Sequence, residues 1–308
     1  MQDEIETILS GYALVEGPRW AANKGLYFCD SHEGGVFRRD GAGQIETIIP
    51  KRKGVGGITL HADGGIVVSG RNICHVNNGV SRILFELDGA ARFNDIATDP
   101  SGRLYVGTLR FDPFNPDALP TPGELYRIES EGVATKLYDD VGLTNGIGFS
   151  PDGQTIYHSD SLRRHIIAHR MKDDGNCIDR RIFAELPKGA PDGLCVDADG
   201  GVWVAAYADG AILRFTPQGE LDQKIDLPAK KVTSLCFGED DLRTLYVTSA
   251  DNQTDESQGG CIFRLRLGVA GLAHAEVQIR KSEINPTAKS SARACREIPA
   301  AAAPPSLT

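Results

Sequence analysis

Apolar residues in this chain come in short alternating or continuous runs, each bounded by glycine, aspartate, asparagine or proline. Runs of that length and spacing predict strands rather than helices. Six of them are copies of one phrase, a polar turn leading into a hydrophobic strand: NKGLYFCD, ADGGIVVS, PSGRLYVGT, PDGQTIYHS, ADGGVWVA and DLRTLYVTS. Aligned on Tyr27, Ile66, Tyr105, Tyr157, Trp203 and Tyr246, the copies recur, by subtraction, at intervals of 39, 39, 52, 46 and 43 residues. Strands are expected at residues 65–69, 104–108, 125–128, 201–205, 211–215 and 244–248. No stretch combines a long amphipathic stripe with capping residues at its ends.

A strand-only repeat with a period in the forties has few architectural solutions, because one unit cannot bury its apolar faces alone. A parallel β-helix uses much shorter rungs, and the pattern of a leucine-rich solenoid is missing. The reading is an all-β, six-bladed β-propeller of four-stranded antiparallel blades. Blade five reads as an inner strand at 191–196, a turn at 197–200, strands at 201–205 and 211–215, and an outer strand at 223–226. The blades are expected within a single domain over residues 1–280. Residues 4–9 read as a strand that joins the last blade, closing the ring and removing an unpaired edge. Residues 281–308, ending IPAAAAPPSLT, read as a disordered tail. The longer intervals around blades three and four include RFDPFNPDALPTPG, with four prolines. That segment reads as a long loop, a natural lid at the axial mouth.

Composition narrows the partners. The 308 residues are 41% hydrophobic and 24% charged, an ordinary globular balance. A chain of about 300 residues buries roughly 75% of its unfolded surface, so no staple is needed merely to hold a core. The net charge of −9 and the absence of a basic stripe argue against nucleic acid. Residues 50–53 and Arg163–Arg164 are basic but short, and read as solvated surface. No apolar run of about 18 residues exists, so no membrane span is expected. The acidic opening MQDEIETILSG lacks a signal-peptide core. Seven cysteines, an odd number without a C-x-x-C pair, include Cys29, Cys195 and Cys236 inside apolar strand patterns. They read as small hydrophobes in a reducing compartment, hence a cytoplasmic protein.

Candidate chemistry lies ten to twelve residues before each anchor, by subtraction, at Glu16, Gly56, Asn94, Asn145, Asp192 and Ser234. Asn-Gly and Asp-Gly are turn signals, so Asn145 and Asp192 taken singly read as turn residues. Glu16-Gly-Pro has no such explanation, and four oxygen-bearing side chains at one repeat register would converge on a propeller axis. Glu, Asp and an Asn carbonyl are the ligands of a hard divalent cation. Neither histidine nor thiolate stands at this register, which argues against a structural zinc site. His158, on an anchor strand, reads as a packed, hydrogen-bonded side chain. Asp152, Asp197 and Asp199 read as turn residues. No G-x-S-x-G elbow, P-loop or G-x-G-x-x-G opening a helix is present, which removes a serine triad, nucleotide hydrolysis and dinucleotide redox chemistry.

At these motifs the chain resembles the gluconolactonase/senescence-marker-protein (regucalcin)/luciferin-regenerating family. The matching segments are EGPRW, RFND…DPSGRLYVGT, TNGIGFSPDG, PDGLCVDADGGVWVAAY, and TSLCFGEDDLRTLYVTSA followed by GGCIFRL, spanning residues 16 to about 267. The resemblance implies one divalent metal in the central channel, with Ca²⁺ the first choice and Zn²⁺, Mn²⁺, Mg²⁺ or Fe²⁺ as alternatives. It implies Glu16, Asn145 and Asp192 as metal ligands, and Arg92, Asn94 and Asp112 as substrate contacts. Relatives often carry Glu where Asp112 stands, and often read N-D-G where Ile96 replaces the glycine. The expected reaction is hydrolysis of a sugar lactone, such as a glucono-, xylono- or arabinonolactone, to the aldonic acid, with Asp192 assisting water attack. The alternatives are hydrolysis of another ester-like or organophosphate substrate, and a non-catalytic cation-binding propeller.

Overall fold

The computed structural model describes residues 4–251 and 259–279. The tail expected at 281–308 lies outside the described residues. Among those residues there is no helix, and the 24 strands form six four-stranded antiparallel sheets. Blade one is β2 (Val15–Ala21), β3 (Gly25–Asp30), β4 (Val36–Arg39) and β5 (Ile45–Ile49). Blade two is β6 (Ile58–Leu60), β7 (Ile66–Val68), β8 (Ile73–Asn77) and β9 (Val80–Phe85). Blade three is β10 (Arg92–Thr98), β11 (Leu104–Leu109), β12 (Gly123–Ser130) and β13 (Val133–Val141). Blade four is β14 (Thr144–Phe149), β15 (Thr155–Asp160), β16 (His165–Met171) and β17 (Cys177–Glu185). Blade five is β18 (Ala190–Val196), β19 (Val202–Tyr207), β20 (Ala211–Phe215) and β21 (Leu221–Asp226). Blade six is β22 (Val232–Gly238), β23 (Thr244–Ser249), β24 (Gly260–Arg266) and, from the opposite end of the chain, β1 (Glu6–Tyr12). The N-terminal strand therefore closes the ring, pairing Glu6 with Arg264 and Tyr12 with Gly260. The first strand of each blade touches that of the next, β2 to β6 and so on around to β22, which returns to β2. This is a six-bladed β-propeller.

The core is divided among the gaps between blades. Six buried apolar clusters occupy the six interfaces; the one between blades five and six, for instance, joins Trp203, Ala205 and Ile212 to Leu235, Phe237 and Leu245. Cys29 and Cys236 are buried within such clusters, and Cys195 packs on the edge of one. The aromatic anchors face the next blade, and the polar tips of three of the five find carboxylates from the turn before them, as buried Tyr and Trp require. Tyr105 donates to Asp99 (3.1 Å), Trp203 to Asp197 (2.8 Å) and Tyr246 to Glu239. Asp197 thus does more than shape its turn, since Arg214 also pairs with it at 2.7 Å.

Blade two corrects the alignment by one residue. Ile66 packs toward blade one and Val67 toward blade three, so Val67 is the true partner of the aromatic anchors. The pairing agrees: Val67 lies opposite Thr59 as Trp203 lies opposite Cys195. A one-residue slip flips a strand's faces, and a run of consecutive β-branched residues conceals it. In blade six the same logic moves the inner position from Ser234 to Thr233. Each site residue stands three before the residue facing the anchor (Glu16 before Arg19, Asp192 before Cys195), and Cys236 faces Tyr246.

Candidate active site

The site is built where the first strands deviate from regular pairing. A register shift falls between Glu16 and Arg19, between Phe93 and Ile96, between Thr144 and Ile147, and between Pro191 and Leu194. Each is a bulge that puts one extra residue into the inner strand and re-aims its side chains. The glycines that follow let neighbouring strands close in on the axis. A Cβ on Gly146 would sit 2.4 Å from the Leu194 nitrogen, and one on Gly193 would sit 2.1 Å from Ser234 Oγ. Asn-Gly and Asp-Gly are used here for close approach rather than for a hairpin.

The bulged residues open into a cavity of about 310 Å³ at one end of the channel. Glu16, Asn145, Asp192, Arg92 and Asn94, all named from the sequence, line it together. Asp112 lies off this wall, exposed on the β11–β12 loop, where its Oδ1 accepts the Phe114 N–H at 3.1 Å. The sequence reading missed Tyr207, Ser161 and Ser31, which also line it, and named Phe114 only as part of the lid segment. Phe114 comes from the expected lid, its ring lying edge-on to His32 and beneath the Arg92 guanidinium, 5.4 Å from centroid.

A supporting shell holds the inner strands. Asp30, at the end of β3, accepts the Ala13 and Leu14 N–H groups just before Glu16. Asp160, at the end of β15, likewise accepts Gly142 and Leu143 just before Asn145. Ser69, after β7, accepts the N–H groups of Gly56 and Gly57. Their signal in the sequence is the Asp or Ser that closes the first two phrases, at Asp30 and Ser69, and the Asp160 that follows the fourth. Asn94 Nδ2 donates to the Thr144 carbonyl at 2.9 Å, and Asn145 Nδ2 to Ser161 Oγ at 3.2 Å. Ser161 passes its proton on to the Pro191 carbonyl at 2.6 Å.

The electrostatics are those of crowded buried acids. Burial first, then repulsion from Asp192 and Asp95, pushes the Glu16 carboxyl well above the usual range. Burial and Asp95 do the same to Asp192. Asp95, which stands beside Asn94 and accepts the Ile96 N–H at 2.7 Å, is raised by burial to about 6 despite the nearby Arg19 cation. Asp192 Oδ1 is buried with no hydrogen-bond partner. Carboxylates this close in a low-dielectric channel cost several kcal/mol unless a cation or protons offset them. Among the described residues no three His, Cys, Asp or Glu side chains gather as a metal-holding group. The set here is two carboxylates and one carboxamide, all able to give oxygen donors, and one of the carboxylate oxygens is without a hydrogen-bond partner. It fits a hard divalent cation.

A six-bladed propeller whose channel carries inward-facing acids and amides defines the class. A family model described as the SMP-30/Gluconolactonase/LRE-like region matches residues 14–251, and the chain belongs to that family. It is 34% identical over 278 residues to a 6-deoxy-6-sulfogluconolactonase of Pseudomonas putida, covering 84% of this chain and 93% of that protein. It is 30% identical over 287 residues to the pentonolactonase XacC of Haloferax volcanii, covering 87% and 95%. A solved luciferin-regenerating enzyme superposes with a TM-score of 0.81 at 26% identity, covering 90% of this chain and all of that one. Lactone hydrolysis is the activity that both sequence relatives are named for.

Proposed function

We propose that this protein is a lactone hydrolase that opens a sugar lactone to the aldonic acid, with a divalent cation held by Glu16, Asn145 and Asp192. The observation that carries the reading is the unpartnered, buried Oδ1 of Asp192 beside Glu16 in the channel mouth. The family and its two lactonase relatives support the substrate class. The cation, with Ca²⁺ the first choice, would polarise the lactone carbonyl and stabilise the developing oxyanion. Asp192, in the cavity wall, would accept the proton of the attacking water. Asn145 stands beside Asp192 and favours its ionised form. Asn94 lines the cavity with its NH₂ anchored on Thr144, and its carbonyl oxygen would accept from a sugar hydroxyl or a bound water. Arg92 donates to hydroxyls or the ring oxygen, and Asp112 acts at the loop, outside the innermost wall. Phe114 and Tyr207 exclude bulk water from the reacting ring.

The test is a panel of sugar lactones, with aryl esters and phosphotriesters as competitors, on metal-stripped protein with each cation added back. Lactones should be turned over in preference, and only with a divalent ion present. Asp192→Ala should lower kcat by at least about 10²-fold, the scale of a lost general base. Wild-type turnover by that variant ends the proposal.

A further inference from the structure

The cavity mouth is uneven in charge, and the unevenness is not explained by ring opening. Arg92 lies in the wall with its stem against Gly54: a Cβ there would come within 3.6 Å of Arg92 Cδ and 3.8 Å of Nη1. Its guanidinium donates no hydrogen bond to any described residue; it lies over the Phe114 ring, and the charges that act on it are those of Asp112 and Glu16. Its five N–H donors thus have no acceptor among the described residues, a costly arrangement for a half-buried cation without a ligand.

Three more cations stand on the same side. Lys51 and Lys53 are exposed on the connection between β5 and β6. That connection is fixed to the cavity wall, since Gly54 donates to the Ser31 carbonyl at 2.8 Å and Gly35 to the Arg52 carbonyl at 3.1 Å. Lys51 holds a left-handed backbone, φ 58°, which a lysine seldom adopts. Arg71 lies on the β7–β8 loop, where Gly70 and Phe93 exchange hydrogen bonds in both directions, one residue from Arg92. Lys51, Lys53 and Arg71 form no ion pair with any described residue. Arg52 differs, because its guanidinium is taken by the Ser69 and Asn72 carbonyls and the Asn72 side chain. The acids of the neighbouring loops are Glu33 and Asp112, while Glu16 and Asp192 line the cavity itself and are the carboxylates assigned to the cation. A neutral polyol would satisfy Arg92 but would leave the cations of the two adjoining loops without an ion-pair partner among the described residues, on a chain of net charge −9.

We propose that Lys51, Lys53 and Arg71, on the two loops that adjoin Arg92, form with it a subsite for an anionic group carried by the lactone at the end remote from its carbonyl. The group is a terminal sulfonate, phosphate or carboxylate, whose fixed charge and acceptor oxygens match an arginine flanked by lysines. This rests on the lactonase reading and names its substrate class.

The experiment compares D-glucono-1,5-lactone with its 6-phospho and 6-deoxy-6-sulfo counterparts, using the wild type and the variant K51Q/K53Q/R71Q. These exposed loop substitutions leave Arg52 and the blade interfaces intact. The anionic lactones should be preferred by at least about tenfold in kcat/KM, mostly through KM. The preference should weaken as NaCl rises from low to about 0.5 M. In the variant the ratio of anionic to neutral kcat/KM should fall about tenfold. Equal or better use of the neutral lactone, or equal losses on both, overturns the subsite. If no lactone is hydrolysed, the lactonase reading has failed instead, and calorimetry judges the subsite alone. Tighter binding of 6-phosphogluconate than gluconate, lost in the variant, upholds it; equal binding overturns it.

Discussion

His169 lies 4% exposed, stacked on Tyr138 at 4.1 Å, and neither of its ring nitrogens has a hydrogen-bond partner. Burial first, then the Arg180 cation, lowers its pKa from 6.5 to about 4. Falling pH therefore charges this histidine in the unfolded chain before the folded one. Its contribution to stability is complete above about pH 6.5 and is lost as pH drops toward 4. Between pH 7 and 5 that loss amounts to about 2 kcal/mol. His169→Phe keeps the stacked ring and removes both orphaned nitrogens. The variant should match or exceed the wild type in urea unfolding at pH 7, and its advantage should grow by about 2 kcal/mol at pH 5. A constant difference across that range would mean that the histidine is not held neutral. The neighbouring His158 was expected to be packed and hydrogen-bonded. It is fully buried and shares a hydrogen bond with the Tyr138 hydroxyl at 2.9 Å, while its Nε2 has no partner.

At the scale of one element, the inner strand with its bulge is the device that makes the site. Its glycines are tested by substitution. Gly146→Ala would force a Cβ to 2.4 Å from backbone of β18 and push apart the strands carrying Asn145 and Asp192. It should cost about 1–3 kcal/mol of stability. It should also weaken cation binding, read by the ion's stabilisation of the fold. Gly41→Ala, at an exposed position where a Cβ meets nothing within 4 Å, should change neither. Equal effects from the two would remove the close-approach argument. Strand positions were legible in the sequence, because alternation and turn residues are local. Blade five shows it: β20 falls at the expected 211–215, and β18 begins one residue early. The bulges were not legible, because an extra residue in one strand shows only against its partner. The slip at Ile66 has the same cause: without the neighbouring blade, Ile66 and Val67 are equally good anchors.

At the scale of the molecule, what was legible was whatever repeats, and what was hidden was whatever the ring brings together only once. Glu16, Asn145 and Asp192 could be named because they share a register. Phe114, Tyr207 and Ser161 share none, and meet them only because the loops of different blades converge on one mouth. The segment from Gly271 to Ile279 is similar: it crosses the other end, bridging Asp197 to Gly271 and His61 to Val277, with no repeat to announce it. Ring closure lies between these cases, since the strand character of residues 4–9 was visible but its partner had to be argued from the edge it leaves open. That closure can be tested by removing it. Without residues 1–12, β24 becomes an edge strand. Ile8, Leu9 and Tyr12 no longer cover Phe28 and Phe37, where Tyr12 meets Phe28 edge-on at 5.3 Å. Losing those partly buried side chains removes about 3–6 kcal/mol, which lowers the unfolding temperature of a chain this long by about 10 °C. β2, which carries Glu16, packs directly on β22 of the opened blade, so the cation's stabilising effect should shrink as well. A synthetic peptide of residues 4–12 added in trans should recover part of both losses by pairing with β24. An unchanged melting temperature in the truncated chain would show that blade six stands on three strands and that β1 is an accessory, not the clasp.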